Sequence, residues 1–147
     1  MEVLEYSYGG GIERLDGVRL RAPSHSVVTQ AKTSAAAPLQ IYGYATRYKK
    51  PHVHKGRIEF FLPGCFDETL KAGGLVRFVE DHEDGATFAT SNGGGLKLVS
   101  DDVGLAFLAD LPDNSEGRRA HHLVASHRKS AMSVRYRPKG VRESLIA

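Results

Sequence analysis

Sixteen glycines divide this chain of 147 residues, several of them in groups such as Gly73-Gly74 and Gly93-Gly94-Gly95. Glycine tolerates positive φ and weakens the interior of a helix or strand, so grouped glycines mark turns and limit the regular elements between them to short lengths. Most intervening stretches are four to eight residues long and alternate apolar with polar side chains, the period of a half-buried strand. Strands are expected over Ile41 to Tyr48, Arg57 to Leu62, Leu75 to Val79, Ala86 to Thr90, Leu96 to Val99, Gly104 to Leu111, Ser130 to Arg137 and from Val141 to Ala147. Ser91 to Gly95 is turn chemistry, and Ser100-Asp101-Asp102-Val103 joins two strands as a hairpin. Two segments break the pattern. Phe66 and Leu70, four apart and followed by Gly73-Gly74, predict a short glycine-capped helix over Phe66 to Ala72. Asp113, Asn114 and Ser115 are all good N-caps for a second helix, in which Ala120, Leu123, Val124 and His127 share one stripe. The expected fold class is α+β, with six to eight strands, two helices and a small-barrel outline.

A length of 147 residues suits one domain. Residues 1–38 read as a flexible N-terminal extension, because Arg21 to Pro38 is rich in Ser, Ala, Thr and Pro without a sustained period; the folded domain is expected over 39–147. No apolar run approaches the ~18 residues of a membrane span, and Met1 to Tyr8 lacks the basic-then-apolar pattern of a secretory signal. A cytosolic protein without membrane contact is expected. The net charge of +3 comes from cations scattered among acidic residues, which does not favour nucleic-acid binding. The single cysteine, Cys65, cannot form an internal disulfide and reads as a small buried hydrophobe.

Chemistry-bearing residues are few. Ser133 sits mid-strand on a face shared with Ala131, Arg135 and Arg137, while Met132, Val134 and Tyr136 occupy the apolar face. A serine in such a strand is either an ordinary half-solvated residue or, with a base beside it, a nucleophile. His82 lies within Glu80-Asp81-His82-Glu83-Asp84, where four carboxylates favour its protonated form; it is either a surface histidine or that base. His52 and His54 could supply two legs of a metal site, but no helical His-Glu-x-x-His and no cysteine pair completes one, so no metal or cofactor is expected. His121, His122 and His127 ride on the second helix as packing or surface groups. No Gly-x-Ser-x-Gly elbow is present, which excludes the α/β-hydrolase plan.

Three ordered blocks resemble the prohead protease family of tailed phages. Leu62-Pro63-Gly64-Cys65-Phe66-Asp67-Glu68-Thr69-Leu70 is similar to its PGAF(D/E)xxL block, with Cys65 in the alanine position. Val79-Glu80-Asp81-His82-Glu83 is similar to its (F/W)NHD block, with Asp81 and Glu83 replacing asparagine and aspartate. Ala109 to Asp113, through Gly117-Arg118, to Ser130-Ala131-Met132-Ser133-Val134 resembles ADLPDTxxGRD…ISGMSFGF, with Ala131 for glycine and Val134 for the aromatic. Tyr42-Gly43-Tyr44-Ala45 resembles the family's first strand. The resemblance implies a mostly antiparallel barrel similar to herpesvirus assemblin. It implies a serine endopeptidase with Ser133 as nucleophile and His82 as base. Arg135, two residues on along the Ser133 face, is either an electrostatic helper or, more simply, a solvated arginine. Scaffold and major capsid proteins would be its substrates, inside the immature capsid in the bacterial host cytoplasm, and the enzyme would often be dimeric. A carboxylate on a strand after the serine strand is also implied; here the one after Ser133 is Glu143, across the Pro138 to Gly140 turn, and the closing strand or strands could lie beyond Ala147. The alternative is a non-catalytic capsid-assembly or scaffold protein that keeps the fold, favoured by the replacements at Asp81, Ala131 and Val134.

Overall fold

The computed structural model describes residues 2–6, 12–21, 29–33, 39–81, 87–138 and 143–145. In chain order the elements are β1 (Glu2–Tyr6), β2 (Ile12–Arg21), β3 (Gln30–Lys32), β4 (Gln40–Arg47), β5 (His52–His54), β6 (Arg57–Phe61), α1 (Asp67–Ala72), β7 (Arg77–Glu80), β8 (Thr87–Thr90), β9 (Leu96–Ser100), β10 (Gly104–Asp110), α2 (Ser115–Ala125), β11 (Ala131–Pro138) and β12 (Glu143–Leu145). The fold is α+β with two helices, as expected. It departs from expectation in its strands. Twelve are present among the described residues, arranged as three four-stranded sheets in the orders β12-β1-β6-β5, β3-β4-β10-β9 and β11-β2-β7-β8, with no closed barrel among them. Most pairings are antiparallel; β1 with β6 and β2 with β7 run parallel.

The N-terminal segment is the larger correction. Residues 1–38, expected as a flexible extension, contribute β1, β2 and β3, and β2 is an inner strand between β11 and β7. Leu15, Val18 and Leu20 of β2 are completely buried. The alternation in Ile12 to Arg21 is broken because the register with β11 shifts: Arg135 pairs with Gly17 but Tyr136 with Leu15, leaving Asp16 as an extra residue. A bulge of this kind turns the next side chain to the opposite face, so a strict period of two is lost in a genuine strand.

One continuous core joins the sheets. Leu15, Val18, Leu20, Ile41, Phe66, Phe78, Leu105 and Phe107 all belong to it. Phe78 of β7 lies with its ring centroid 5.5 Å from Phe88 and 6.0 Å from Phe107, tying one sheet to the next. Beneath the other end, Phe61 sits 5.2 Å from Phe66 and 5.3 Å edge-on from Tyr136. Such contacts add to the ~25 cal/mol per Å² gained by removing apolar surface from water.

The residues that resemble the family blocks have structural work in α1 and α2. Gly64 has φ 90°, a value that disfavours any side chain, and its carbonyl accepts from Asp67 N at 3.1 Å to start α1; Gly73 at φ 68° ends that helix. Asn114 caps α2 through Oδ1, which accepts from Gly117 N at 2.9 Å. A Cβ on Gly117 would lie 1.8 Å from the Pro112 carbonyl oxygen, so only glycine lets the first turn of α2 close on the preceding loop. Ala120 and Val124 are buried as expected, but His127 lies beyond the end of α2, exposed, with φ 60°. The hydrophobic stripe ends with the helix.

Candidate active site

β11 displays the two faces expected from its alternation. Met132 and Val134 enter the core and Tyr136 packs against it. Ser133 is half-buried on the opposite face, aligned with Arg19 of β2, which in turn aligns with Val79 of β7. Cross-strand partners project to the same side of a sheet, so Ser133, Arg19 and Val79 form one row. Val79 and Ala131 are buried, at 3% and 7% exposure, yet neither belongs to the main core. The serine therefore stands on a face with its own partial cover.

Arg19 Nε donates to Ser133 Oγ at 3.2 Å. A guanidinium has no acceptor, so the serine proton is not used in this contact. Oγ is thus held by a cation on one side, and its own O–H remains free to donate elsewhere.

The strand preceding His82 is anchored at the same level of the sheet. Asp81 N donates to Leu20 O at 3.0 Å, and Leu20 aligns with Met132, the neighbour of Ser133. Asp81 thus lies two strand spacings, about 10 Å, from β11. Its φ of 50° turns the chain sharply out of β7. Glu80, buried at the strand's end, accepts from Arg119 Nη2 at 2.6 Å, Arg119 Nη1 at 3.2 Å and Lys129 Nζ at 2.6 Å. Lys129 also donates to Asp81 Oδ2 at 2.7 Å, and Arg119 to Glu116 at 2.9 Å. The Arg119 hydrogen bonds, reinforced by Lys129, hold the Glu80 carboxyl at about 2 against the opposing cost of burial. Asp81 and Glu80 correspondingly raise the Lys129 pKa. His82 itself, with Glu83 and Asp84, lies outside the described residues.

Glu143 occupies β12, which pairs antiparallel with β1, opposite Leu4. β12 belongs to a different sheet from β11, so Glu143 is not paired with the serine strand across the Pro138 to Gly140 turn. Arg135 is exposed on the Ser133 face two residues along. His52 lies 3.8 Å through Nε2 from Glu59 Oε2, and Glu59, almost fully buried, also accepts hydrogen bonds from Tyr136 Oη. Among the described residues no group of three or more His, Cys, Asp or Glu is placed to hold a metal ion, and no helix is long and apolar enough to cross a membrane. Burial raises the Cys65 thiol to about 12, which keeps it protonated and unreactive.

Sequence reasoning missed Arg19, Arg119 and Lys129. Arg19 falls in the segment read as an extension, where only a bulge-tolerant period would have exposed β2. Lys129 carries no local signal, because its partners Glu80 and Asp81 are 49 and 48 residues away.

No curated protein and no solved structure matches the chain. The family model described as caudovirus prohead serine protease matches residues 25–145, a span that includes both Ser133 and His82. With a match over most of its length, the chain belongs to the caudovirus prohead serine protease family.

Proposed function

We propose that this protein is a serine endopeptidase of procapsid maturation in which Ser133 attacks the peptide carbonyl and His82 takes its proton. The observation that carries the proposal is the setting of Ser133: its Oγ accepts from Arg19 and its hydrogen is left for a base, while Asp81, the residue before His82, is anchored to β2 one step along the sheet. A serine hydroxyl needs such a base to attack at neutral pH, and the acyl-enzyme is then released by water activated by the same imidazole. Arg19 would steady the developing charge on Oγ, and Arg135 is the electrostatic helper for the carbonyl oxygen. Glu143 is proposed as the orienting carboxylate only on family resemblance, since the described backbone pairs it with β1. An assemblin-like wrapping of the three sheets belongs to the same proposal.

Scaffold and major capsid proteins are the proposed substrates, met inside the immature capsid in the host cytoplasm, with a dimer as the proposed working form. Co-expression of these proteins with the wild-type chain, or with Ser133→Ala, His82→Ala and Glu143→Gln, tests the assignment. Processing is expected to stop in the first two variants while their circular dichroism and thermal transition stay those of the wild type, and to fall in the third. Unchanged processing in Ser133→Ala overturns the nucleophile assignment. If the wild type also processes nothing and capsids still require the chain, the reading of a non-catalytic assembly protein takes its place.

A further inference from the structure

We propose that a cleft lined by arginines beside Ser133 binds a carboxylate side chain of the substrate, one or two residues from the bond that is cut. This rests on the protease reading above and specifies which peptides it accepts.

The cleft has a volume of about 310 Å³ and is lined by Arg14, Asp16, Gly17, Leu75, Arg77, Val79, Arg135 and Arg137. Its position follows from the register. Arg135 aligns with Gly17, and Gly17 with Arg77; the adjacent row is Ser133, Arg19 and Val79. Both rows lie on the same side of the sheet, and Val79 lines the cleft. Residues two apart on a strand are separated by about 7 Å, so the Arg135 row lies about that far from the serine. An extended peptide advances ~3.3–3.6 Å per residue. A peptide whose carbonyl meets Ser133 Oγ therefore brings a side chain within one or two residues of that bond over the cleft.

The charge of the lining selects the ligand. Four arginines face one aspartate. Asp16 is engaged by Arg14 at 2.5 Å, and among the described residues neither Arg77 nor Arg137 has an ion-pair partner. Gly17 forms a bare floor between Arg77 and Arg135. A Cβ there would come 2.9 Å from the Arg77 carbonyl oxygen, so the close approach of β2 and β7 that shapes the cleft depends on that glycine. The guanidinium groups of Arg77 and Arg137 suit a planar carboxylate, which they can engage through paired N–H donors. The walls contributed by Leu75 and Val79 take the methylenes of a glutamate side chain.

The test uses an array of extended decapeptides, each carrying one glutamate or the matching glutamine at each position in turn. The wild-type chain is expected to cleave glutamate peptides about 10-fold more efficiently than their glutamine partners at moderate salt, with mass spectrometry placing the glutamate within two residues of the cut. In Arg77→Gln and Arg137→Gln the ratio should approach one, and in Arg77→Glu lysine should replace glutamate as the favoured residue. Equal cleavage of the pairs, or a glutamate preference that survives both arginine variants, overturns the proposal. Binding of the same peptides to Ser133→Ala, followed by fluorescence anisotropy, separates the cleft from the chemistry. If the wild type cleaves nothing, the protease reading fails; glutamate peptides that still bind about 10-fold tighter and lose this in Arg77→Gln keep the cleft, whereas equal binding removes it.

Discussion

The sheet of β11, β2, β7 and β8 has two faces made from alternate residues of the same strands, and they are built on different principles. Toward the core, Leu15, Val18, Leu20, Phe78, Met132 and Val134 exclude water, and their positions follow from packing. Toward the outside, Arg19, Ser133, Arg135 and Arg77 carry polar chemistry, and the one buried apolar side chain among their cross-strand partners, Val79, is separate from the main core. The inner face determines where the backbone runs; the outer face inherits its geometry from that backbone. This division teaches that the outer residues can be changed for function at little cost in stability, and that inner residues should do the reverse.

The strongest way to break the comparison is at the serine. Ser133→Ala should lower peptide cleavage by on the order of 10³-fold or more while changing the unfolding free energy by no more than about 0.5 kcal/mol, measured by kinetics and urea unfolding on the same sample. A large loss of stability would mean that the serine is structural. On the inner face, Phe78→Ala should destabilise by about 3–5 kcal/mol, because its ring stands between Phe88 and Phe107. If it did not, the two faces would not be energetically distinct.

Where the faces meet, at the end of β7, the Glu80 cluster sharpens the contrast. Its carboxyl titrates at about 2 in the folded protein against an ordinary value of 4.5. The unfolded chain therefore takes up this proton first as pH falls, so the contribution is whole above about pH 4.5 and is lost progressively down to about pH 2. Lys129→Met should reduce stability at neutral pH by about 1–3 kcal/mol and make the acid unfolding curve shallower across that window, as followed by circular dichroism. An unchanged acid slope would show that the cluster does not stabilise the fold. The smallest effect is expected at Arg19. Arg19→Leu should lower cleavage about 10-fold, chiefly in kcat, with a stability change under about 1 kcal/mol; an equal loss for Arg19→Lys would show that the Nε geometry, and not only charge, matters.

Legibility in the sequence followed the same division. Strands with unbroken alternation, such as β10 and β11, and the capped α2 with Asn114 at its start, lie within a residue or two of where periodicity puts them. So does the outward placement of Ser133. β2 escaped because the bulge at Asp16 breaks its period, and β5 because three residues are too few to display one. Sheet closure is not legible in the same way: patterning specifies which face of a strand is apolar, but closure depends on which distant strands pair. The same limit hid the attachment of β12 to β1 and the clamp of Lys129 on Glu80, both made by partners remote in sequence. The candidate nucleophile and base were visible chiefly as blocks of resemblance, because a serine and a histidine 51 positions apart have no local pattern that links them.

Arg19 and Ser133 stand side by side although 114 residues separate them along the chain. Contacts of such long range are slow to form and dominate the folding rate of β-rich domains. During synthesis, β2 emerges early and must wait for β11 before its sheet can be completed. A ribosome-bound chain that has not yet released Ser133 has neither the proposed nucleophile nor the strand that would hold it. The topology thus separates the appearance of the polypeptide from the appearance of the Arg19–Ser133 row, so that any activity resting on that row, as proposed, arises only in molecules whose two distant strands have found each other.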